Sequence, residues 1–411
     1  MEGKQELIKN LFQQEFSKMV AVINSQFGLQ YMELAEDVIS ETFLLATETW
    51  ECKGLPRNPA AWLYTVAKRK MLGQFRRNKI FEKKIIPELT SRQEATAQNE
   101  LLSFSQKNIR DSQLQMLFAI CSPVIASEAQ IGLALRILCG FGIDEIAEAF
   151  ISNKETINKR LFRAKEKLRA EKVCMELPSE NEIPKRLDSV LHIIYLLFNE
   201  GYYSKTRNPV LQKELCLEAL RLGLMLTEYV RTNLPKTNAL LALMCFHTSR
   251  FDARLSNQDA LVLYEHQDHA CWDMDLINQG WHYLSLSTQG EELSPYHIEA
   301  KIASWHSVKE DTPEKWKDIL NLYDQLLLMQ YSQTVALNRA FAVYKLKGRE
   351  AALAEAEKLK LENNHFYFVL LGELFRNLDN SRAELYLKKA YALARTKPEK
   401  QLIRTKMEGL S

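Results

Sequence analysis

The dominant pattern along the chain is the recurrence of apolar residues every three or four positions. This spacing gathers apolar side chains on one face of an α-helix, and no convincing run of alternating apolar and polar residues indicates a β-strand. Glycine and proline, which interrupt helices, number only 14 and 11. The pattern predicts an all-α protein.

Breaks in the helical pattern divide the chain into segments, and 411 residues are too many for one ordinary core. Residues 1–82 are predicted to form a compact helical unit, and the polar residues 83–110 a linker. A second small helical unit is predicted at residues 111–172. After a proline-containing break, residues 185–411 read as a long helical array.

The array contains a weak internal repeat. Residues 340–353 align with residues 372–385 at an offset of 32, with small residues recurring in both copies and Gly348 and Asn380 predicted to end helices. This is similar to a tetratricopeptide (TPR) array, whose stacked helical pairs usually present a concave surface to a protein or peptide. An irregular helical domain without a ligand is the alternative.

Charge is distributed unevenly along the chain. The net charge is +2 overall, but −5 over residues 1–50 and +8 over residues 57–84. A concentrated cationic segment is the electrostatic footprint expected of phosphate binding. A solvated helix face is the more ordinary explanation of such a run.

The acidic segment predicts a protein-binding helix. Asp37 and Glu41 are four residues apart and share one helix face, beside apolar residues that supply core and contact surface. Acids beside an apolar patch suit docking onto a basic protein groove. An ordinary acidic helix would carry the same pair.

The basic segment predicts a helix with two faces. One face carries a buried stripe of Leu63, Ala67, Met71 and Phe75. The other carries an aromatic residue among cations, namely Trp62, Lys68, Arg69, Lys70, Arg76 and Arg77. An aromatic ring beside cations is how single-stranded or melted DNA is held. The alternative is that Trp62 belongs to the core.

A helix-turn-helix is predicted near the end of the second unit. Its first helix covers residues 142–150, and Ser152 with Glu155 forms a capping box that opens the second helix. The second helix buries Ile157, Leu161, Ala164 and Leu168 and exposes Lys154, Asn158, Lys159, Arg160, Arg163 and Lys167. A cationic outer face on such a helix is typical of a major-groove reader.

These motifs, in this order, resemble the extracytoplasmic-function (ECF) sigma factors of bacterial RNA polymerase. The resemblance is carried by residues 35–43, 61–67 and 145–164. Further short motifs at 198–202 and 267–273, with Leu337 to Ala340, are similar to the subgroup that has a TPR-like C-terminal extension. The resemblance therefore covers nearly the whole chain.

The resemblance implies a role for each matching residue. The helix that grips core RNA polymerase would use Asp37, Glu41 and Phe43. The part that melts and reads the −10 promoter element would use Lys53, Arg57, Asn58, Trp62, Lys68, Arg69, Arg76 and Arg77, with the loop from Lys53 to Asn58 capturing a flipped base. The −35 element would be read by Lys154, Asn158, Lys159, Arg160, Arg163 and Lys167.

The chain offers no pattern that indicates catalysis or a cofactor. Two histidines and a cysteine, His266, His269 and Cys271, have poor spacing for zinc, so no metal site is predicted. Five polar residues in apolar surroundings are interpreted as buried hydrogen-bonding anchors: Asn199, Glu200, Gln267, Asp268 and Asp273. Seven scattered cysteines and no membrane-span or signal-peptide pattern predict a reduced, cytoplasmic protein.

The sequence therefore predicts a non-enzymatic sigma factor that binds core RNA polymerase and promoter DNA. Its C-terminal array would be regulatory or would bind a regulatory protein. One alternative is a helix-turn-helix regulator that binds DNA without polymerase and senses an effector through the array. The other is a protein scaffold in which the basic helix is incidental.

Overall fold

The computed structural model describes residues 2–77, 106–202, 209–254, 267–394 and 397–410, together with Val262 and Tyr264. The described residues form α-helices joined by short turns and contain no β-strand, which confirms the predicted all-α class. The chain divides into two compact units, Met1–Thr232 and Asn233–Ser411.

The described residues of the first unit form nine α-helices. They are α1 (Glu2–Phe27), α2 (Met32–Lys53), α3 (Pro59–Arg77), α4 (Gln106–Ile120), α5 (Ser127–Leu133), α6 (Ile143–Ala149), α7 (Lys154–Ala170), α8 (Ile183–Tyr202) and α9 (Pro209–Thr227). A π-helical stretch, Ala134–Leu138, follows α5. Helix α1 packs against both α2 and α4, and Ser25 of α1 is hydrogen-bonded to Ser112 of α4. The predicted −10 and −35 helices therefore belong to one packed body.

The first compact unit extends further along the chain than the sequence predicts. Residues from 185 onward were expected to belong to the array, but α8 and α9 pack with the preceding helices. Helix α8 buries a broad apolar face, and Arg186 donates a hydrogen bond from Nη2 to the carbonyl oxygen of Phe118 at 2.6 Å. Arg221 of α9 similarly donates to the carbonyl of Leu138 at 2.8 Å. These contacts move the boundary to Thr232.

The predicted linker also differs from the structure at its end. Helix α4 already begins at Gln106, so residues 106–110 are helical. Residues 83–105 of the predicted linker lie outside the described residues, as do residues 78–82 of the first predicted unit.

Nine further α-helices lie in the part of the second compact unit that the structure describes. They are α10 (Pro235–Thr248), α11 (Met274–Ser287), α12 (Pro295–Trp305), α13 (Pro313–Met329), α14 (Gln333–Lys347), α15 (Arg349–Leu359), α16 (His365–Phe375), α17 (Asn380–Leu393) and α18 (Lys397–Glu408). Helix α10 is apolar around nearly its whole circumference and is buried on all sides. It packs closely against α11, where a Cβ added to Gly280 would lie 2.7 Å from the Phe246 ring.

The predicted repeat falls on two helical pairs, α14 with α15 and α16 with α17. Gly348 lies between the first two helices at φ +85°, as predicted for a residue that ends a helix. Asn380 instead begins α17, and its Oδ1 accepts a hydrogen bond from the backbone of Asn377. Gly372 permits close packing, because a Cβ there would approach Leu387 to 2.8 Å.

Candidate protein-binding and nucleic-acid-binding surfaces

The acidic helix α2 exposes two of its three predicted polymerase-binding residues. Asp37 and Glu41 are exposed, and Glu41 is paired with Lys70 of α3 at 3.1 Å. Phe43 is only 5% exposed and packs edge-to-face on Phe12, with ring centroids 5.0 Å apart. Two residues beyond Glu41, it is turned about 200° around the helix and points into the core. A surface role for Phe43 is therefore not supported; Leu44, 67% exposed, is the apolar side chain that the helix presents.

Helix α2 also carries a buried carboxylate that the sequence analysis missed. Glu36 is 8% exposed and accepts hydrogen bonds from Lys165 Nζ of α7 at 2.5 Å and from Arg136 Nε at 3.3 Å. A buried carboxylate held by two cations is a well-satisfied charge. The available signal was its position on the apolar stripe of the helix, together with Met32 and Ile39.

A second basic residue joins α7 to the start of α2. Arg169 donates from Nε to the carbonyl oxygen of Gln30 at 3.1 Å and lies 3.8 Å from Glu33. These contacts and the Glu36 pair form what we call the α2–α7 clasp: Glu36, Lys165, Arg136, Arg169 and Glu33.

The basic helix α3 buries its predicted stripe and exposes its predicted cations. Leu63, Ala67, Met71 and Phe75 are all buried, as expected from their spacing. Arg69, Arg76 and Arg77 are exposed and Lys68 is partly exposed. Lys70 is the member of the group that pairs with a carboxylate, Glu41. Within the described part of the chain, no acidic side chain lies at ion-pair distance from the other four, so their charge faces solvent.

Trp62 is neither fully exposed, as a purely DNA-binding ring would be, nor fully buried, as a core residue would be. It is half-buried, and its ring packs edge-to-face on the fully buried Trp50, with centroids 5.3 Å apart. One side of the indole thus anchors α3 to α2, while the remainder is accessible for stacking.

Three predicted residues are exposed between the end of α2 and the start of α3: Lys53, the last residue of α2, and Arg57 and Asn58 in the loop. Asn58 also caps α3, because its Oδ1 accepts a hydrogen bond from the backbone of Ala61 at 3.0 Å. Its Oδ1 therefore already accepts one hydrogen bond, while its amide NH₂ is available to donate to a base. Gly54 turns the chain at the end of α2 with φ +81°.

Helices α6 and α7, joined by a tight turn at residues 150–153, cover the segment predicted to be a helix-turn-helix. The predicted buried stripe of α7 is confirmed, since Ile157, Leu161, Ala164 and Leu168 are all buried. The predicted capping box is wrong in detail. The cap is Asn153, whose side chain accepts from the backbone of Thr156 at 2.7 Å, because Asn153 and not Ser152 directly precedes the first helical residue.

The six predicted −35 residues fall into two groups. Arg160 pairs with Glu128 at 3.2 Å and lies over the Phe150 ring, and Lys154 pairs with Asp144 at 2.5 Å. The other four are exposed and make no ion pair within the described ranges: Asn158, Lys159, Arg163 and Lys167. Lys159, Arg163 and Lys167 lie on the flank of α7 away from the α2–α7 clasp.

Residues 267–273 do not behave as the buried anchors that the sequence predicted. Asp268 and Asp273 are exposed caps, accepting hydrogen bonds from the backbones of Ala270 and Leu276. Short polar side chains at such positions satisfy helix-start N–H groups, which explains them without burial. Gln267 is half-buried and donates to the carbonyl of Val262, and Asn199 and Glu200 are also half-buried.

The described side chains of the weak metal motif, His269 and Cys271, are not arranged as metal ligands. His269 stacks edge-to-face on Trp272, and the Cys271 thiol is 3.9 Å from an Asp268 oxygen. His266 lies outside the described residues. Among the residues that the structure describes, no three His, Cys, Asp or Glu side chains are grouped as metal ligands would be.

Two segments of the chain match known protein families. Residues 14–80, which include α2 and α3, match the Sigma-70 region 2 family, and this match supports a sigma-70 family factor. Residues 186–288, from the first turn of α8 to the residue after α11, match a family of unknown function, DUF6596.

The chain belongs to the same family as the uncharacterized protein R00370 of Rhizobium meliloti (strain 1021). The two are 33% identical over 389 residues, which cover 92% of this chain and 90% of that protein. No solved structure matches the chain. None of the described helices is both long and apolar enough to cross a membrane.

Proposed function

We propose that the protein is an ECF-type sigma factor that directs RNA polymerase to promoters. The sigma-70 region 2 match supports binding to core polymerase and promoter DNA. The observation that carries the proposal is the group of unpaired cations on α3, Lys68, Arg69, Arg76 and Arg77, within that matched range. Cations without carboxylate partners are available to phosphates, and they lie on the same helix as the partly accessible ring of Trp62.

In this proposal each exposed surface has one partner. Core polymerase contacts α2 through Asp37, Glu41 and the apolar Leu44. The −10 element contacts α3 and the loop before it, while Asn158, Lys159, Arg163 and Lys167 of α7 contact the −35 element in the major groove.

Simultaneous contact with both elements requires the α2–α7 clasp to open. Elements centred at −10 and −35 are roughly 25 base pairs apart, or ~85 Å at about 3.4 Å per base pair. A compact body the size of the first unit, which ends at residue 232, has a radius of gyration of about 17 Å. We therefore propose that the clasped form is a resting state and that promoter binding separates α7 from α2.

The C-terminal part is proposed to be a regulatory or protein-binding domain. Its paired helices resemble a TPR array, and several large apolar side chains are exposed there, including Leu328, Tyr331 and Phe366. Transcription by the full chain should be compared with that of a chain ending at Thr232, which keeps the first compact unit whole. Equal transcription by both, with and without cell extract, would contradict a regulatory role.

The central test removes two cations from α3. Replacing Arg76 and Arg77 with Ala should reduce promoter-directed transcription with core polymerase at least about tenfold. It should also lower the slope of log affinity against log salt by about two, since each phosphate contact contributes about 0.9 to that slope. The fold should be unchanged because both side chains are exposed.

A matched control replaces Lys317 and Lys347 with Ala, which removes the same charge from exposed positions in the second unit. This control should leave transcription and the salt slope unchanged. Full activity of the Arg76/Arg77 variant would contradict the proposal. Promoter binding by the wild-type chain without co-purification of core polymerase would instead indicate an independent DNA-binding regulator.

A further inference from the structure

A buried arginine lies at the end of the apolar helix α10. Arg250 follows α10 by two residues, is 7% exposed, and places its guanidinium 5.4 Å from the centre of the Tyr264 ring. Because α10 is buried on all sides, the chain that leaves it carries Arg250 into the interior of the second unit.

Within the described residues, the buried Nε of the Arg250 guanidinium lacks a hydrogen-bond acceptor, and the guanidinium lacks a paired carboxylate. A guanidinium has five N–H donors, and burying it unpaired is strongly unfavourable. Stacking on one tyrosine ring compensates only part of that cost.

A second cation lies against the same tyrosine. Lys315 is 1% exposed, and its Nζ donates to Tyr264 Oη at 3.1 Å and to the carbonyl oxygens of Val308 at 2.8 Å and Glu310 at 3.3 Å. These three neutral oxygens use all of its donors; burial lowers the pKa of Lys315, and the nearby carboxylates of Asp311 and Glu310 offset this only in part. The neighbouring Asp311 is paired with Lys345 at 2.9 Å and accepts a hydrogen bond from Trp316.

Two further polar atoms around Tyr264 are buried without a partner. His306 lies 5.1 Å from the Tyr264 ring, and its Nδ1 is buried and makes no hydrogen bond; the same holds for Nε1 of Trp272, whose ring is 6.4 Å from Tyr264. Burial, together with Arg250 and Lys315, lowers the pKa of His306 to about 3, so its imidazole is neutral. Unsatisfied atoms that converge on one place are characteristic of a binding site rather than of a core.

We propose that Arg250, Lys315, His306 and Tyr264 form a binding site for a small molecule that carries a carboxylate or phosphate group. The anion supplies the missing counter-charge, and the Arg250 guanidinium binds two of its oxygens through parallel hydrogen bonds. The buried setting restricts the ligand to a small one. The site lies in the second unit and is independent of the surfaces assigned to polymerase and DNA.

The test measures anion-dependent stability of the full chain by scanning calorimetry. Sodium phosphate and sodium acetate are each compared with sodium chloride at equal ionic strength. At ten times its dissociation constant, a bound anion should raise the melting temperature of the second unit by about 3–5 °C. A shift with phosphate alone, or with acetate alone, supports the site and identifies the group that it prefers.

Three variants make the result specific. Arg250→Met should abolish the shift, and Arg250→Lys, which keeps the charge but loses the paired donors, should reduce it. Arg349→Met is the matched control, because Arg349 is a partly exposed arginine of the same unit, and it should retain the full shift. The proposal is overturned if neither anion exceeds chloride, or if Arg250→Met keeps the wild-type shift.

Discussion

The two compact units each bury a charged side chain, and they treat it in opposite ways. Glu36 in the first unit is held by Lys165 and Arg136, so its charge is fully compensated within the fold. Arg250 in the second unit has an aromatic neighbour, but its buried Nε has no acceptor and no carboxylate of the described residues pairs with it. The ion pairs of Glu36 hold helices together, whereas the guanidinium of Arg250 keeps a hydrogen-bond donor that a ligand can use. Burial alone therefore does not distinguish a structural charge from a ligand-binding one; the state of its partners does.

The largest expected effect on stability comes from removing the charge of Glu36. Glu36→Gln leaves the partly buried Lys165 and Arg136 without their carboxylate partner and should lower the free energy of unfolding of the first unit by about 3 kcal/mol. Hydrogen exchange of the α2 and α7 amides, resolved by peptide, measures this without interference from the second unit. Glu41→Gln breaks the exposed pair with Lys70 and should cost less than about 1 kcal/mol.

The same variant tests the clasp as a resting state. If opening of the clasp precedes promoter binding, Glu36→Gln should strengthen binding to a two-element promoter more than binding to a −10 element alone. Equal protection of α2 and α7 in Glu36→Gln and wild type would show that the clasp contributes nothing to the fold.

The second-largest expected effect is an increase in the free energy of unfolding rather than a decrease. Arg250→Met removes a buried unpaired charge, so it should raise the free energy of unfolding of the ligand-free second unit by about 1–3 kcal/mol. Arg339→Met should instead destabilise that unit, because Arg339 pairs with Asp324 at 2.5 Å and Glu355 at 2.7 Å. Calorimetry of both variants in chloride buffer measures the contrast, and a destabilised Arg250→Met protein would place Arg250 with the structural charges.

The smallest expected effect is a pH dependence of the second unit. The pKa of His306 is lowered to about 3 by burial and by Arg250 and Lys315, and burial also lowers that of His247. The unfolded chain binds a proton near pH 6.5 whereas the folded unit does not, so stability falls as the pH drops from about 6.5 toward 3. Between pH 7 and 5, His306 should contribute a loss of about 1–2 kcal/mol.

Melting temperatures across this pH range provide the measurement, with His306→Gln as the comparison. That variant should flatten the pH dependence without abolishing it, since His247 remains. A second unit whose stability is constant from pH 7 to 5 would contradict neutral burial of these histidines.

Periodicity predicted which helical faces are buried, but not the role of every residue on or beside those faces. The stripe from Leu63 to Phe75 follows directly from 3.6-residue spacing, and so does the stripe of α7. The same geometry argues against Phe43 as a contact residue, although the family resemblance favoured it. Asn153 replaced the predicted capping box because a shift of one residue in the helix start changes the cap.

Local sequence patterns could not predict which residues far apart in the chain contact each other. Glu36 meets Lys165 across 129 positions of sequence, and no local spacing encodes that pairing. Likewise, α8 and α9 join the first unit through contacts such as Arg186 with Phe118, not through any change in composition at residue 232. Arg250 had one usable signal: it lies two residues after a helix that is apolar around nearly its whole circumference and is therefore buried on nearly all sides.

The 129-residue separation within the α2–α7 clasp has a consequence for biosynthesis. At about 5–20 residues per second, a ribosome needs roughly 6–26 s to proceed from Glu36 to Lys165. Nascent chains stalled before residue 165 should accordingly be cleaved by protease within α2, whereas chains released at full length should resist. The N-terminal helices emerge first but complete their packing only when α7 arrives, so translation rather than folding sets the earliest moment at which the first unit is whole.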